Sequence, residues 1–241
     1  MQEKETKTSP KQRIFIAIIA VVMLIASVAI YIAIIVSANS SSKGTTSQVD
    51  EAKVAELTEK YEEKNKEYEE AANALSSKYI EKFSKYRSEV KGYNASSINE
   101  SSTVSTKDLK IGSGEKLTAD SSDYGAYYIG WCADETIFDS SFDNYDSPSK
   151  LKAPIVVTQD SLIEGWYMGV NGMKIGGARI VSIPGKLAYG DSQEICGGTN
   201  SPLKFLIMPV ELDDDFKKLS KEMSDLYMQL IYAQYGMEPT E

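Results

Sequence analysis

The chain has 241 residues, 42% hydrophobic and 25% charged, with a formal net charge of −9, and that length leaves room for one or two domains. The acidity argues against a nucleic-acid partner. There is no histidine, which excludes His-ligated metal sites and Ser–His or Cys–His catalytic pairs, and the two cysteines are too few for a four-ligand zinc site; no metal and no cofactor is expected.

Residues 1–13 are polar, with Lys4, Lys7, Lys11 and Arg13 against Glu3 and Glu5. The run Ile14–Val36 carries no charge. As a helix it would measure about 34 Å, enough to cross a bilayer core. The sequence therefore predicts a transmembrane helix over 14–36. The basic flank precedes it, which puts the tail 1–13 in the cytoplasm and the rest outside, as a single-pass protein of the cell membrane. A cleavable signal peptide ending near Val36-Ser37-Ala38 is the rival. Residues 37–47 read as a Ser/Thr-rich linker. From 48 to 92, Val54, Leu57, Tyr61, Tyr68, Leu75, Tyr79, Phe83, Tyr86 and Val90 recur at helical steps. That stripe fits a coiled-coil homodimer or packing on the chain's own C-terminal helix.

Residues 93–106 read as a second linker, and a globular domain is expected over 107–212. Its predicted strands are Tyr124–Trp131, Thr136–Asp139, Pro154–Thr158, Arg179–Ile183 and Leu203–Leu212. Pro209 removes a ladder donor, so that part of the last strand is expected at an edge or bulge. Asp160 and Ser161 are expected to cap a short helix through Ile163, Trp166 and Val170. Residues 213–241 are expected to hold a final helix, with Phe216, Leu219, Met223, Leu226, Leu230 and Ala233 on one face. The pattern is α+β, an antiparallel sheet wrapped on a short helix, preceded by a membrane helix and a long amphipathic helix and followed by a C-terminal helix.

Several motifs occur in order: Tyr128-Ile129-Gly130, Ile137-Phe138-Asp139-Ser140-Ser141, Leu162-Ile163-Glu164-Gly165-Trp166, Gly172-Met173-Lys174-Ile175-Gly176, Ile183-Pro184, Leu187-Ala188-Tyr189-Gly190 and Asn200-Ser201-Pro202-Leu203-Lys204-Phe205. Together they resemble the FK506-binding-protein family of peptidyl-prolyl isomerases. The resemblance implies that Trp166 is the floor of a proline bowl and that Tyr128, Phe138 and Phe205 are its walls. Ile163 would add an apolar edge and a backbone N–H, Tyr189 a donor hydroxyl, and Asp139 a rim carboxylate that holds nearby hydroxyls. Leu162 matches an apolar wall position, and Ile155 stands where the family often has an aromatic. The chain departs from the pattern at Glu135-Thr136, in the long loop between Ser141 and Pro154, and at Gly197-Gly198-Thr199 in the loop after Tyr189. Cys132 and Cys196 both flank the expected bowl; a disulfide between them and two buried free thiols are both open.

The chemistry suits a chain without histidine. An apolar site that favours a twisted C–N bond lowers a barrier of about 18–20 kcal/mol set by amide resonance. The expected activity is isomerisation of X-Pro bonds in exported or envelope proteins outside the membrane, with macrolides of the FK506 class as further ligands. The alternative is a proline-binding chaperone or foldase module with weak or no isomerase activity.

Overall fold

The computed structural model describes residues 50–235. The expected tail, membrane span and first linker lie outside the described residues; among those described, no helix is long and apolar enough to cross a membrane. The elements are α1 (Glu51–Ser84), α2 (Ala95–Asn99), β1 (Ser105–Lys110), β2 (Tyr124–Trp131), β3 (Ile137–Ser140), β4 (Ile155–Val157), α3 (Glu164–Val170), β5 (Ala178–Ile183), β6 (Leu203–Val210) and α4 (Asp214–Tyr235). The strands form one six-stranded sheet in the order β1-β5-β6-β2-β3, with β4 also paired to β2. All pairings are antiparallel.

The sheet is covered on both faces, and β2 shows why. Successive side chains of a strand point to opposite faces. Tyr124, Ala126 and Tyr128 enter one apolar cluster with Trp166 and Val170 of α3. Tyr127, Ile129 and Trp131 enter a second cluster with Tyr79 and Phe83 of α1. Helix α3 lies close on β5 because Gly165 and Gly169 share one helical face. A Cβ at Gly165 would stand 2.3 Å from Ile183 Cγ2, and one at Gly169 would stand 2.4 Å from Val181 Cγ1. Arg179 on β5 fixes the end of the same helix. Its Nη1 donates to the carbonyls of Gly169 and Asn171, each at 2.9 Å, while Nε and Nη2 donate to the two carboxylate oxygens of Asp108.

Helix α1 runs for 34 residues and is capped by the Asp50 carboxylate, which accepts from Lys53 N. Its C-terminal half packs on the sheet. Phe83 is fully buried, its ring 6.0 Å from Tyr127 and 5.3 Å from Phe142. Its N-terminal half runs antiparallel to α4, with Tyr61 against Tyr227 at 6.4 Å and Tyr68 against Phe216 at 5.4 Å. The tyrosine stripe is therefore covered within the chain, by α4 and the sheet.

Two local expectations are corrected, and the one for Pro209 holds locally. Helix α3 starts at Glu164 with Ile163 as its cap residue. Ser161 is instead spent on a turn, accepting from Thr158 N at 3.1 Å and donating to Thr158 O at 2.8 Å, and Asp160 takes a positive φ. Residues 93–106 are docked rather than free. Tyr93 hydroxyl reaches the carbonyls of Trp131 and Pro202, and the Asn99 amide bridges Asn200 O and Gly185 N. Pro209 lies in β6, a central strand. Its missing N–H points to the side of its own carbonyl, which accepts from Gly176 N in a loop. The β5 ladder has already ended at Arg179↔Ile207, so no ladder donor is lost.

Candidate active site

The inner face of the sheet and α3 bring the aromatic residues together. β2 supplies Tyr128, β3 Phe138, β6 Phe205 and α3 Trp166. Tyr128 meets Trp166 edge-on at 5.9 Å, Phe205 meets Trp166 edge-on at 5.7 Å, and Phe138 meets Phe205 edge-on at 5.4 Å. Such edge-to-face contacts set ring against ring without a flat stack. Ile155, Leu162, Ile163 and Tyr189 pack, partly buried, on the same cluster. Every apolar and aromatic residue expected at the bowl is thus in one place.

Depth separates them. Trp166 is 2% exposed and Phe205 4%, so these two form the base, and Phe205 sits deeper than a wall. The indole N–H donates to Tyr124 hydroxyl at 3.3 Å, which ties the floor into the core. The surface a proline ring would meet is made mainly of the partly buried Tyr128, Phe138, Ile155, Leu162, Ile163 and Tyr189.

The polar groups divide into committed and free. Tyr128 hydroxyl donates to the Asp139 carboxylate. The backbone at Tyr128 is itself fixed, its N–H donating to Ser141 Oγ at 2.8 Å. Burial, then the Asp139 charge, pushes the Tyr128 hydroxyl well above the ordinary phenol range. The same two causes push Tyr189 up to about 12. Both are therefore protonated donors at neutral pH. Among the described residues, neither the Tyr189 hydroxyl nor the Ile163 N–H makes a hydrogen bond. Cys132, directly after β2, is disulfide-bonded to Cys196 with a Cα–Cα distance of 5.4 Å. The bridge pins the loop after Tyr189 beside the cluster, on which Ile195 and Cys196 pack.

Two contributors are not evident from the sequence pattern alone. Gly130 pairs across the sheet with Asp139 and Phe205. A Cβ there would stand 2.5 Å from the Phe138 ring and 2.9 Å from the Phe205 ring. The signal was a glycine inside an otherwise aromatic strand, which marks a close approach. Tyr124, the partner of the indole N–H, gave no signal beyond its place in β2.

An aromatic cluster with two unspent donors on its border, in a chain without a histidine, suits an enzyme class that eases rotation about a bond rather than breaking one. The sequence matches the family model described as FKBP-type peptidyl-prolyl cis-trans isomerase over residues 114–212. An FK506-binding protein of Neisseria meningitidis serogroup C is 39% identical over 88 residues, 36% of this chain and 72% of that protein. Another, from Neisseria meningitidis serogroup B, is 34% identical over 108 residues, 44% of this chain and 90% of that protein. Among solved structures, a peptidyl-prolyl cis-trans isomerase of Pseudomonas syringae is 27% identical, covering 44% of this chain and 73% of that chain, with a TM-score of 0.35. The chain belongs to the FKBP-type peptidyl-prolyl cis-trans isomerase family, and its activity is prolyl isomerisation.

Proposed function

We propose that the chain isomerises X-Pro bonds of exported or envelope polypeptides, held at the outer side of the membrane by residues 14–36 with its N-terminus in the cytoplasm. The location rests on the uncharged run and its preceding basic flank. The site reading rests on one observation. Around the aromatic cluster, Tyr128 hydroxyl is committed to Asp139, which leaves Tyr189 hydroxyl and Ile163 N–H as the donors for substrate carbonyls.

In this reading the proline ring packs on Tyr128, Phe138 and Ile155 above the Trp166 base. The apolar site disfavours the charge-separated planar amide and so favours the twisted one. Removing about 5 kcal/mol of the barrier accelerates exchange between 10³- and 10⁴-fold. The same hollow would take a macrolide of the FK506 class. Asp139 orients the Tyr128 ring and adds a negative field at the rim.

The test is cis/trans exchange in a short X-Pro peptide, followed by NMR with the full chain in detergent. Tyr189→Phe is expected to lower kcat/KM about fivefold, since one hydrogen bond contributes on the order of 1 kcal/mol. An unchanged rate refutes the donor role. Protease added to intact cells tests location; an isomerase domain protected from it refutes the outward orientation. A second reading, client holding by a chaperone module, is favoured by the partly buried Leu226, Met228 and Ile231 on α4. It predicts that Tyr189→Phe and Asp139→Ala spare client refolding while peptide isomerisation falls.

A further inference from the structure

On the outer face of the sheet, away from the prolyl cluster, is a cleft of about 220 Å³ that includes Glu89, Lys91, Ser105, Lys107, Ser182 and Lys204 in its lining. Four of these side chains are set by strand register rather than by loops. Ser105 pairs with Ser182, and Ser182 with Lys204, so one row of the sheet presents two hydroxyls and an ammonium. Lys107, two residues along β1, points to the same face. Lys204 alternates with Phe205 along β6, so the cleft and the prolyl cluster lie on opposite faces of one strand.

The groups of the cleft are largely unspent. Lys107 has the one ion pair, to Glu89 at 3.4 Å. Among the described residues, Lys91 and Lys204 have no carboxylate partner, and the hydroxyls of Ser105 and Ser182 make no hydrogen bond. Lys204 Nζ lies 5.0 Å from the centre of the Tyr93 ring. Burial, then the neighbouring Lys107 charge, holds the Lys204 pKa below its usual value. An anion between the two ammonium groups would relieve that repulsion.

We propose that this cleft binds a phosphate monoester, with Lys91, Lys107 and Lys204 supplying charge and Ser105 and Ser182 supplying hydroxyl donors. Charge matching selects the class. The lining carries three lysines and one glutamate, and the excess of two positive charges matches a phosphate monoester, which carries about −1.5 to −2 at pH 7. A single carboxylate would leave one cation uncompensated. Lysine serves such a group as a point charge, and the hydroxyls supply direction. The volume is below the range of about 300–1,000 Å³ typical of drug-sized ligands, so the ligand is small or enters by its phosphoryl end.

The test is calorimetric titration of the full chain in a zwitterionic detergent at low ionic strength, with methyl phosphate, dimethyl phosphate and acetate. Methyl phosphate is expected to saturate one site at least tenfold more tightly than either monoanion. Lys204→Met is expected to weaken it at least tenfold with peptide isomerisation unchanged. Glu89→Gln is expected to tighten it several-fold, a gain that misfolding cannot produce. Equal affinities for the three anions, Lys204→Met binding like wild type, or looser binding by Glu89→Gln would each overturn the proposal. Glucose 6-phosphate and dioctanoyl phosphatidic acid then separate a soluble ester from a lipid headgroup: tighter binding of one supports the site and names its source, and binding of neither overturns it.

Discussion

Gly130→Ala is the sharpest test of how the site is built. The new Cβ would stand 2.5 Å from the Phe138 ring, against about 3.4 Å for ordinary contact. Something must move by about 0.9 Å. Phe205 is 4% exposed and packed between Trp166 and Phe138, so it resists. Phe138 is only partly buried, so its ring retreats and the edge-to-face contact with Phe205 opens. The stability cost belongs to the overpacking class, about 1–3 kcal/mol, because the Cβ also stands 2.9 Å from the buried Phe205 ring. A misplacement near 1 Å in a positioning surface costs up to about 10²-fold in rate. The expected result is kcat/KM for a short X-Pro peptide lowered ten- to a hundredfold, about 1.4–2.8 kcal/mol, with the chain still folded by thermal melting. Gly130→Ala with wild-type kcat/KM and an unchanged Tm would show that Phe138 does not shape the reacting surface.

Phe83→Ala removes a fully buried ring from between α1 and the sheet and is expected to cost about 3–5 kcal/mol in denaturant unfolding, with the fold rather than the prolyl cluster as the target. Isomerisation should be level from pH 6 to pH 9, because the Tyr189 phenol, pushed up to about 12, stays protonated there. Stability should behave differently: the raised phenol favours the folded chain below the ordinary value near 10, and that advantage is lost as pH rises from about 10 through about 12, which chemical unfolding across that window would detect. Reduction of the Cys132–Cys196 bridge, which spans a sequence separation of 64, is expected to cost about 4 kcal/mol by chain entropy; a melting temperature indifferent to dithiothreitol would count against it.

Local chemistry was legible in the sequence, and partnership less so. The β-branched and aromatic runs of β2 and β5 read as strands, and the ordered motifs gathered Tyr128, Phe138, Trp166, Tyr189 and Phe205 onto one face. The tyrosine stripe of α1 was also legible, but a stripe does not name what covers it. A second copy, α4 and the sheet would each bury the same side chains. Burial of both faces of β2 was hidden because Tyr and Trp suit an inner or an outer face equally. The start of α3 was misplaced because Ser161 has two uses, helix cap and turn, and the competing turn with Thr158 won. Pro209 marked a local edge correctly, because a central strand can outrun its neighbour and β5 stops short of it.

The antiparallel partnership of α1 and α4 joins the earliest and the latest helices of the described chain. A ribosome delivers residues in order, at about 5–20 per second. The tyrosines that will meet α4 therefore wait on the order of ten seconds for their counterpart to be made. Until it arrives, no stretch of nascent polypeptide can finish burying them. Assembly of the described residues is thus sealed by α4, and a ribosome that stalls before Phe216 would release a product whose α1 is left greasy on one side.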